Sequence, residues 1–324
     1  MSISSIEWTE HTWNPIVGCS IVSPGCTNCY AMRMAARIEA AGTAPHYAGL
    51  TKKVNGNAVW TGKLALAPEI TLTEPLRRKK PTMYFVNSMG DLFHEDCPDE
   101  WIDRVFAVMA LCPQHTFQVL TKRADRMRAY MANVEREAYW MNAVADLFEI
   151  DGSLLNRCYP IMGQRDPWLP LPNAWLGVSC ERQEEADERI PLLLQTPAAV
   201  RFISAEPLLG PIKLHERIGD DWLASGLSGE RKGLDWIIVG GESGPKARPM
   251  HARWAADIRN QCRVARIPFF FKQWGEWKTV REARYYDVCE AVGFERVGKK
   301  AAGRLLDGRE WNEFPSVKQI GAAA

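Results

Sequence analysis

Short apolar runs recur along this chain, and each ends in a polar or glycine-bearing cluster. The clearest are Met83 to Val86 before NSMGDLFH, Phe117 to Leu120 before TKR, and Trp175 to Val178 before SCE. Val200 to Ile203 before SAEPLLG, Trp236 to Val239 before GGESG and Pro268 to Phe271 before KQWGEW follow the same rule, and a further strand is read around Trp13 to Val17. A near-continuous apolar run suits a strand covered on both faces, and its alternation with helical patterns is the signature of βα units. The expected fold is therefore α/β: a full or partial (β/α) barrel of about six or seven parallel strands, TIM-barrel-like, with a doubly wound open sheet as the alternative. In either architecture ligands gather outside the carboxyl ends of the strands, so the site is predicted as a set of strand ends.

Between the runs, Asp99 to Leu111 places Ile102, Val105, Phe106 and Met109 on one helical face, with Asp99 behind Pro98 as the expected N-cap. Arg253 to Ala265 repeats Trp254, Ile258 and Cys262 at helical spacing. Two stretches break the rhythm. Residues 130–173, with a helical Glu135 to Phe148 and the proline-rich exit DPWLPLPN, read as an insertion, and 276–324 as a C-terminal extension. No linker sets either apart, so a single domain over 1–324 is expected, with Gly42 to Lys63 as a loop placed to cover the site.

A hydrophobic content of 46% supplies a core, and a formal net charge of +1 gives no global field toward nucleic acid or an anionic membrane. Any nucleic-acid contact is then local. The opening MSISSIEWTEHTW has no basic stretch leading into an apolar one, and no run approaches the roughly 18 apolar residues of a membrane span, so a cytoplasmic protein without a membrane partner is expected. The nine cysteines, an odd number without an export signal, argue against a disulfide framework.

Three of those cysteines lie together. NPIVGCSIVSPGCTNCYAM spaces Cys19, Cys26 and Cys29 as C-x6-C-x2-C, ahead of Tyr30 and an amphipathic helix carrying Met32, Ala35, Ala36 and Ile38. Pro24 and Gly25 allow a sharp turn, and the start of the helix offers backbone N–H groups to an anionic group. Gathered thiolates point to a metal. They suit a [4Fe–4S] cluster with one iron left without a protein ligand, or a structural zinc closed by a fourth ligand such as His11 or His94.

A three-cysteine loop after the first strand of a parallel barrel, ending in cysteine followed by an aromatic residue, resembles the radical S-adenosylmethionine superfamily. The usual spacing there is C-x3-C-x2-C, and this chain has three more residues between Cys19 and Cys26. More narrowly, NPIVGC, VNSMGDLFH, QVLTKR, RFISAEPLLGPI, GGESGPKARPMH and FFFKQWGEW, spread over most of the chain, resemble a phage- and bacterium-associated three-cysteine family described as radical-SAM-like. The resemblance implies a [4Fe–4S] cluster on Cys19, Cys26 and Cys29, with S-adenosylmethionine bound at the open iron and cleaved to a 5′-deoxyadenosyl radical. It leaves the substrate unknown, with phage association suggesting modification or repair of nucleic acid, and leaves room for a partner protein.

The same resemblance implies that Tyr30, Asn87, Ser88 and Asp91 position the cofactor, Asp91 or the Asn87 carbonyl standing where the superfamily uses an early Gly-Gly-Glu segment. The literal Gly240-Gly241-Glu242 follows a late strand; there it would let backbone approach a nucleoside, with Glu242 binding a hydroxyl. Lys122, Glu206 and Lys272 would shape the substrate end as the catalytic group, and Arg123 is as readily a salt-bridged loop residue. Two other readings stand beside this one: a zinc-binding regulatory protein, and an iron–sulfur protein for electron transfer without radical chemistry. Trp274 and Trp277 read first as lid or core packing, and the basic runs Arg77 to Lys80 and VGKKAAGR as solvated faces, although these residue types also suit a base and a phosphate.

Overall fold

Residues 4–150, 152, 170–214, 233–285 and 288–316 are described by a computed structural model. In chain order it contains β1 (His11–Trp13), β2 (Ile16–Val17), α1 (Tyr30–Ala41), β3 (Thr51–Val54), β4 (Asn57–Trp60), β5 (Ala65–Leu66), α2 (Glu69–Leu72) and α3 (Glu74–Arg77). There follow β6 (Met83–Val86), α4 (Asp99–Ala110), β7 (Thr116–Thr121), α5 (Ala124–Met131), α6 (Arg136–Ile150), β8 (Ala174–Ser179), α7 (Gln183–Leu194) and β9 (Val200–Ala205). The chain closes with β10 (Trp236–Gly240), α8 (Ala252–Ala265), β11 (Phe269–Gln273), β12 (Trp277–Tyr285), β13 (Val288–Arg296) and the short α9 (Lys299–Ala302).

Seven strands form one parallel sheet in the order β1-β6-β7-β8-β9-β10-β11. The fold is α/β, a partial (β/α) barrel, and every apolar run named above contributes to its sheet. Every residue of β8 and β10 is buried, which is why their sequences carry no polar alternation. Register follows the parallel ladder: Trp236 lies beside Phe202 and Val239 beside Ala205 on one side, while Ile237 lies beside Phe269 on the other.

Three local expectations are corrected. The first strand stops at Trp13, because Asn14 is followed by Pro15, which has no N–H for the ladder; Ile16 and Val17 pair instead, antiparallel, with Leu66 and Ala65. The supposed loop from Gly42 to Lys63 contains the antiparallel hairpin β3–β4, turned at Asn55 and Gly56 with φ of 48° and 77°. That Asn-Gly pair is a hairpin signal present in the sequence. Asp99 is the first residue of α4 and Pro98 its N-cap, since the Asp99 carboxylate is taken by Arg126 and by Arg136 at 2.9 Å.

The chain divides into two compact units, one made of 1–22, 31–177 and 195–199, the other of 23–30, 178–194 and 200–324. In the first, Tyr84 stacks on Phe117 at 5.5 Å, Trp13 meets Phe117 at 5.6 Å, and Phe106 of α4 stacks on Trp140 of α6 at 4.6 Å. Beside that stack the Tyr130 hydroxyl donates to Asp103 at 2.6 Å, and Arg136 pairs with Asp103 at 3.0 Å, so the buried carboxylate is satisfied. In the second unit Trp236 packs against Phe202 and Phe270. After β12 and β13 pair antiparallel, the chain returns along the sheet edge: Phe271 N donates to Trp311 O at 2.9 Å and Phe269 N to Glu313 Oε2 at 2.9 Å. The C-terminal extension thus covers β11, which would otherwise present an open row of amides.

Of the expected insertion, 151 and 153–169, with Cys158, lie outside the described residues, as do 286–287 and 317–324 of the extension. Among the described residues no helix is long and apolar enough to cross a membrane.

The stacked pair between α4 and α6 gives a stability test. Phe106→Ala is expected to cost about 3–5 kcal/mol, as large-to-small changes at a fully buried aromatic do, and urea unfolding reads it directly. A loss below about 1 kcal/mol would show that this core repacks freely.

Candidate functional site

In the first unit the residues after β6 and β7 form one hydrogen-bonded group. Asn87 takes a left-handed conformation, φ 58°, immediately after β6; its N–H donates to Trp13 O at 2.7 Å and its Oδ1 accepts from Ile16 N at 3.3 Å. The Nδ2 of this buried amide has no hydrogen-bond partner among the described residues. Ser88 Oγ and Met89 N both donate to Asn14 Oδ1, at 3.1 and 2.9 Å. Gly90 has to be glycine, because a Cβ there would stand 2.9 Å from Gly18 O and 3.0 Å from Ile16 O. The backbone after β6 therefore packs directly on the backbone that leads into Cys19.

Asp91 accepts four hydrogen bonds: Thr121 Oγ1 at 2.6 Å and Phe93 N at 3.1 Å on Oδ1, Lys122 N at 3.1 Å and Arg123 Nη1 at 3.0 Å on Oδ2. Arg123 also donates to Ser20 Oγ at 2.6 Å, to Glu95, and through Nη1 to Cys19 Sγ at 3.7 Å. Its side chain is only 6% exposed and is salt-bridged to Asp91 and Glu95, as the alternative reading of Arg123 expected. The buried Asp91 carboxylate requires a cation, and Arg123 supplies it. Burial pushes the Glu95 carboxyl up, but its hydrogen bond from Arg123 prevails and holds it at about 2. Burial, helped by the Arg123 charge, holds the His94 imidazole below its usual value; this ring meets Ser20 Oγ at 2.9 Å.

In the second unit, Pro24–Cys26 forms a 3-10 turn in which Cys26 N donates to Ser23 O at 2.9 Å and Cys29 N to Cys26 O at 3.2 Å. Two carboxylates anchor this turn. Ser23 Oγ donates to Glu181 Oε1 at 2.9 Å, and Arg189 neutralises the fully buried Glu181 at 3.2 Å. A Cβ on residue 25 would fall 2.2 Å from Glu181 Oε1, so Gly25 is what allows the approach. Between the cysteines, Asn28 Nδ2 donates to Glu242 Oε2 at 3.1 Å and Lys246 O at 2.9 Å. Arg248 meets the same carboxylate through its backbone N at 2.8 Å, Nε at 2.9 Å and Nη2 at 2.6 Å, and also reaches Pro24 O at 3.0 Å. Burial raises the Glu242 carboxyl, and the hydrogen bonds from Arg248 and Asn28 outweigh that and lower it.

The remaining predicted residues of this unit form a separate pair. Lys272 Nζ lies 3.0 Å from Glu206 Oε1, and Ser204 Oγ donates to Glu206 Oε2 at 3.0 Å. The space left by the two glycines is filled by the chain itself: a Cβ on Gly240 would meet Glu206 Oε1 at 2.5 Å, and one on Gly241 would meet Trp274 O at 2.0 Å. Glu206 and Glu242 thus engage different cations. Tyr30, at the start of α1, is about half exposed.

Among the described residues, Cys19, Cys26, Cys29, Cys97, Cys112, Cys180 and Cys262 form no disulfide. Cys97, Cys112, Cys180 and Cys262 are buried, and burial pushes Cys97 up to about 12, as expected of inert core residues. Cys19 and Cys29 are half-buried and Cys26 is buried. The donor chemistry, three reduced thiols in a short glycine-turned loop, suits a thiophilic metal. No group of three or more His, Cys, Asp or Glu is already drawn together to metal-holding geometry among the described residues.

Sequence reasoning missed Asn28, Glu181, Arg189 and Arg248. Glu181 follows the β8 run in the SCE cluster and was legible as a strand end; Arg248 belongs to an irregular loop whose return onto Glu242 has no sequence period.

Residues 3–315 match the family described as protein of unknown function, DUF5131. The chain belongs to DUF5131. No curated protein and no solved structure matches it. The anchoring of the cysteine turn through Glu181 and Glu242 is therefore a property read from this DUF5131 chain itself.

The Glu242 clamp carries a pH signature. A carboxyl lowered on folding adds stability that is complete above its unfolded pKa, about 4.3, and is lost as pH falls through the folded value. Glu242→Gln is expected to cost about 1–3 kcal/mol at pH 7 and progressively less toward pH 3, which thermal melts across that range would read. A cost independent of pH would show that the charge is not what holds the turn.

Proposed function

We propose that this protein is a radical S-adenosylmethionine-type enzyme in which Cys19, Cys26 and Cys29 hold a [4Fe–4S] cluster. The observation that carries the reading is the cysteine loop: three reduced thiols at C-x6-C-x2-C spacing after the first sheet strand, with a buried guanidinium on the first sulfur. When bound, such a cluster supplies an electron for cleavage of the sulfonium of S-adenosylmethionine.

The chain's own residues prepare for this in distinct ways. Arg123 donates to Cys19 Sγ and so orients the first sulfur of the loop. The Glu181 and Glu242 anchors fix the turn that carries Cys26 and Cys29. Asn87, with an unspent buried amide donor, and Ser88 and Asp91 beside it stand at the end of β6, the region assigned to cofactor positioning. Asp91 acts through Arg123, because its own oxygens are already engaged. In this reading Glu206 and Lys272, paired at 3.0 Å, form the substrate end together with Lys122.

Anaerobic purification with iron and sulfide analysis, followed by electron paramagnetic resonance of the reduced protein, tests the reading. About four irons per chain, loss of iron in Cys26→Ala, and a spectrum altered by S-adenosylmethionine are expected. One zinc per chain, with no cluster after reconstitution, would sink it in favour of a zinc-binding protein without radical chemistry.

A further inference from the structure

The second unit holds a cavity of about 770 Å³ bounded by α8, β12 and the α9 segment, within the size range of small-molecule sites. Its walls combine one aromatic surface with an excess of cations. Trp274 supplies the ring, fixed by its indole N–H donating to Leu305 O at 2.9 Å and by edge contact with Phe271 at 4.8 Å. Arg253, Lys278 and Arg304 supply three positive charges against the single carboxylate of Asp307, which is itself paired with Arg259.

These cations differ in what they can offer. Arg304 is held in place by Lys272 O at 2.9 Å and by Glu310 at 3.6 Å, and acts as a fixed charge. Arg253 is 65% exposed and pairs with Asp257 at 3.6 Å among the described residues. Lys278 is exposed, and no ion pair is formed by it among the described residues. Thr279, also in the lining, has a buried hydroxyl without a hydrogen-bond partner among the described residues. A fixed ring, two exposed cations and a buried hydroxyl in one cavity suit a ligand with a planar ring and a phosphate.

We infer that this cavity binds a nucleoside phosphate, stacked on Trp274 with its phosphate toward Arg253 and Lys278. The ligand chemistry is shared by a free mononucleotide and by the phosphorylated end of a single strand. The inference rests on this cavity alone and stands apart from the cysteine loop. It also gives a use to the VGKKAAGR segment, whose Ala301 to Arg304 line the cavity.

Isothermal titration calorimetry of the full chain with adenosine monophosphate, adenosine and a short 5′-phosphorylated single-stranded oligonucleotide tests it. One site per chain is expected, with adenosine at least about tenfold weaker than the monophosphate, because it lacks the charge that the cations recognise. Lys278→Glu should weaken phosphate-dependent binding about tenfold at unchanged thermal stability, and Lys278→Arg should retain it. Tighter binding of the oligonucleotide identifies a strand end as the source, and tighter binding of the monophosphate a free nucleotide; both support the inference. No measurable binding of either phosphate ligand, or binding unaffected by Lys278→Glu, would overturn it.

Discussion

A parallel strand buried on both faces has few places for a polar side chain other than its ends, and the chemistry of this protein is arranged by that constraint. β8 and β10 are buried along their whole length, and the first polar groups beyond them are Cys180 with Glu181 and Gly241 with Glu242. Gln118 in β7 is an exception that follows the same logic: fully buried in mid-strand, it is kept because its amide donates to Trp8 O at 3.1 Å. Charges that collect at strand ends are only partly solvated and must find partners, which explains why the pairs here are close and multiple.

Two such pairs bear on the cysteine loop, one in each unit. Arg123 with Asp91 reaches Cys19 and Ser20, while Arg248 with Glu242 reaches Asn28 and the Pro24 carbonyl. In both cases a carboxylate that looks, from its position, like a ligand-binding group has its oxygens occupied by the protein. These acids hold loop segments in place, whereas the buried Asn87 amide keeps a donor with no hydrogen-bond partner among the described residues. Glycines at 25, 90, 240 and 241 serve the same end by letting a side chain or backbone approach where a Cβ would collide.

The C-terminal extension has two parts with different physical origins. Its last described stretch lies along β11 because an uncovered parallel edge leaves amides unpaired, and Trp311 and Glu313 satisfy them. Residues of β12 and of the α9 segment, together with α8, line the cavity.

The sheet was legible in the sequence, because burial on both faces writes itself as an apolar run and each of the seven expected runs contributes to it. The strand-end location of the polar groups was legible for the same reason. The Asn55-Gly56 hairpin and the break at Pro15 were also written locally, in residues whose backbone preferences demand them. What only tertiary structure decided is which polar residue meets which. Arg248 finding Glu242, Asn28 joining them, and Arg123 turning inward while Lys122 lends its N–H to Asp91 depend on loops whose path is set by distant packing. A sequence specifies burial through the repetition of many weak preferences, but a single ion pair between irregular segments has no periodicity and exists only once the fold has brought its ends together.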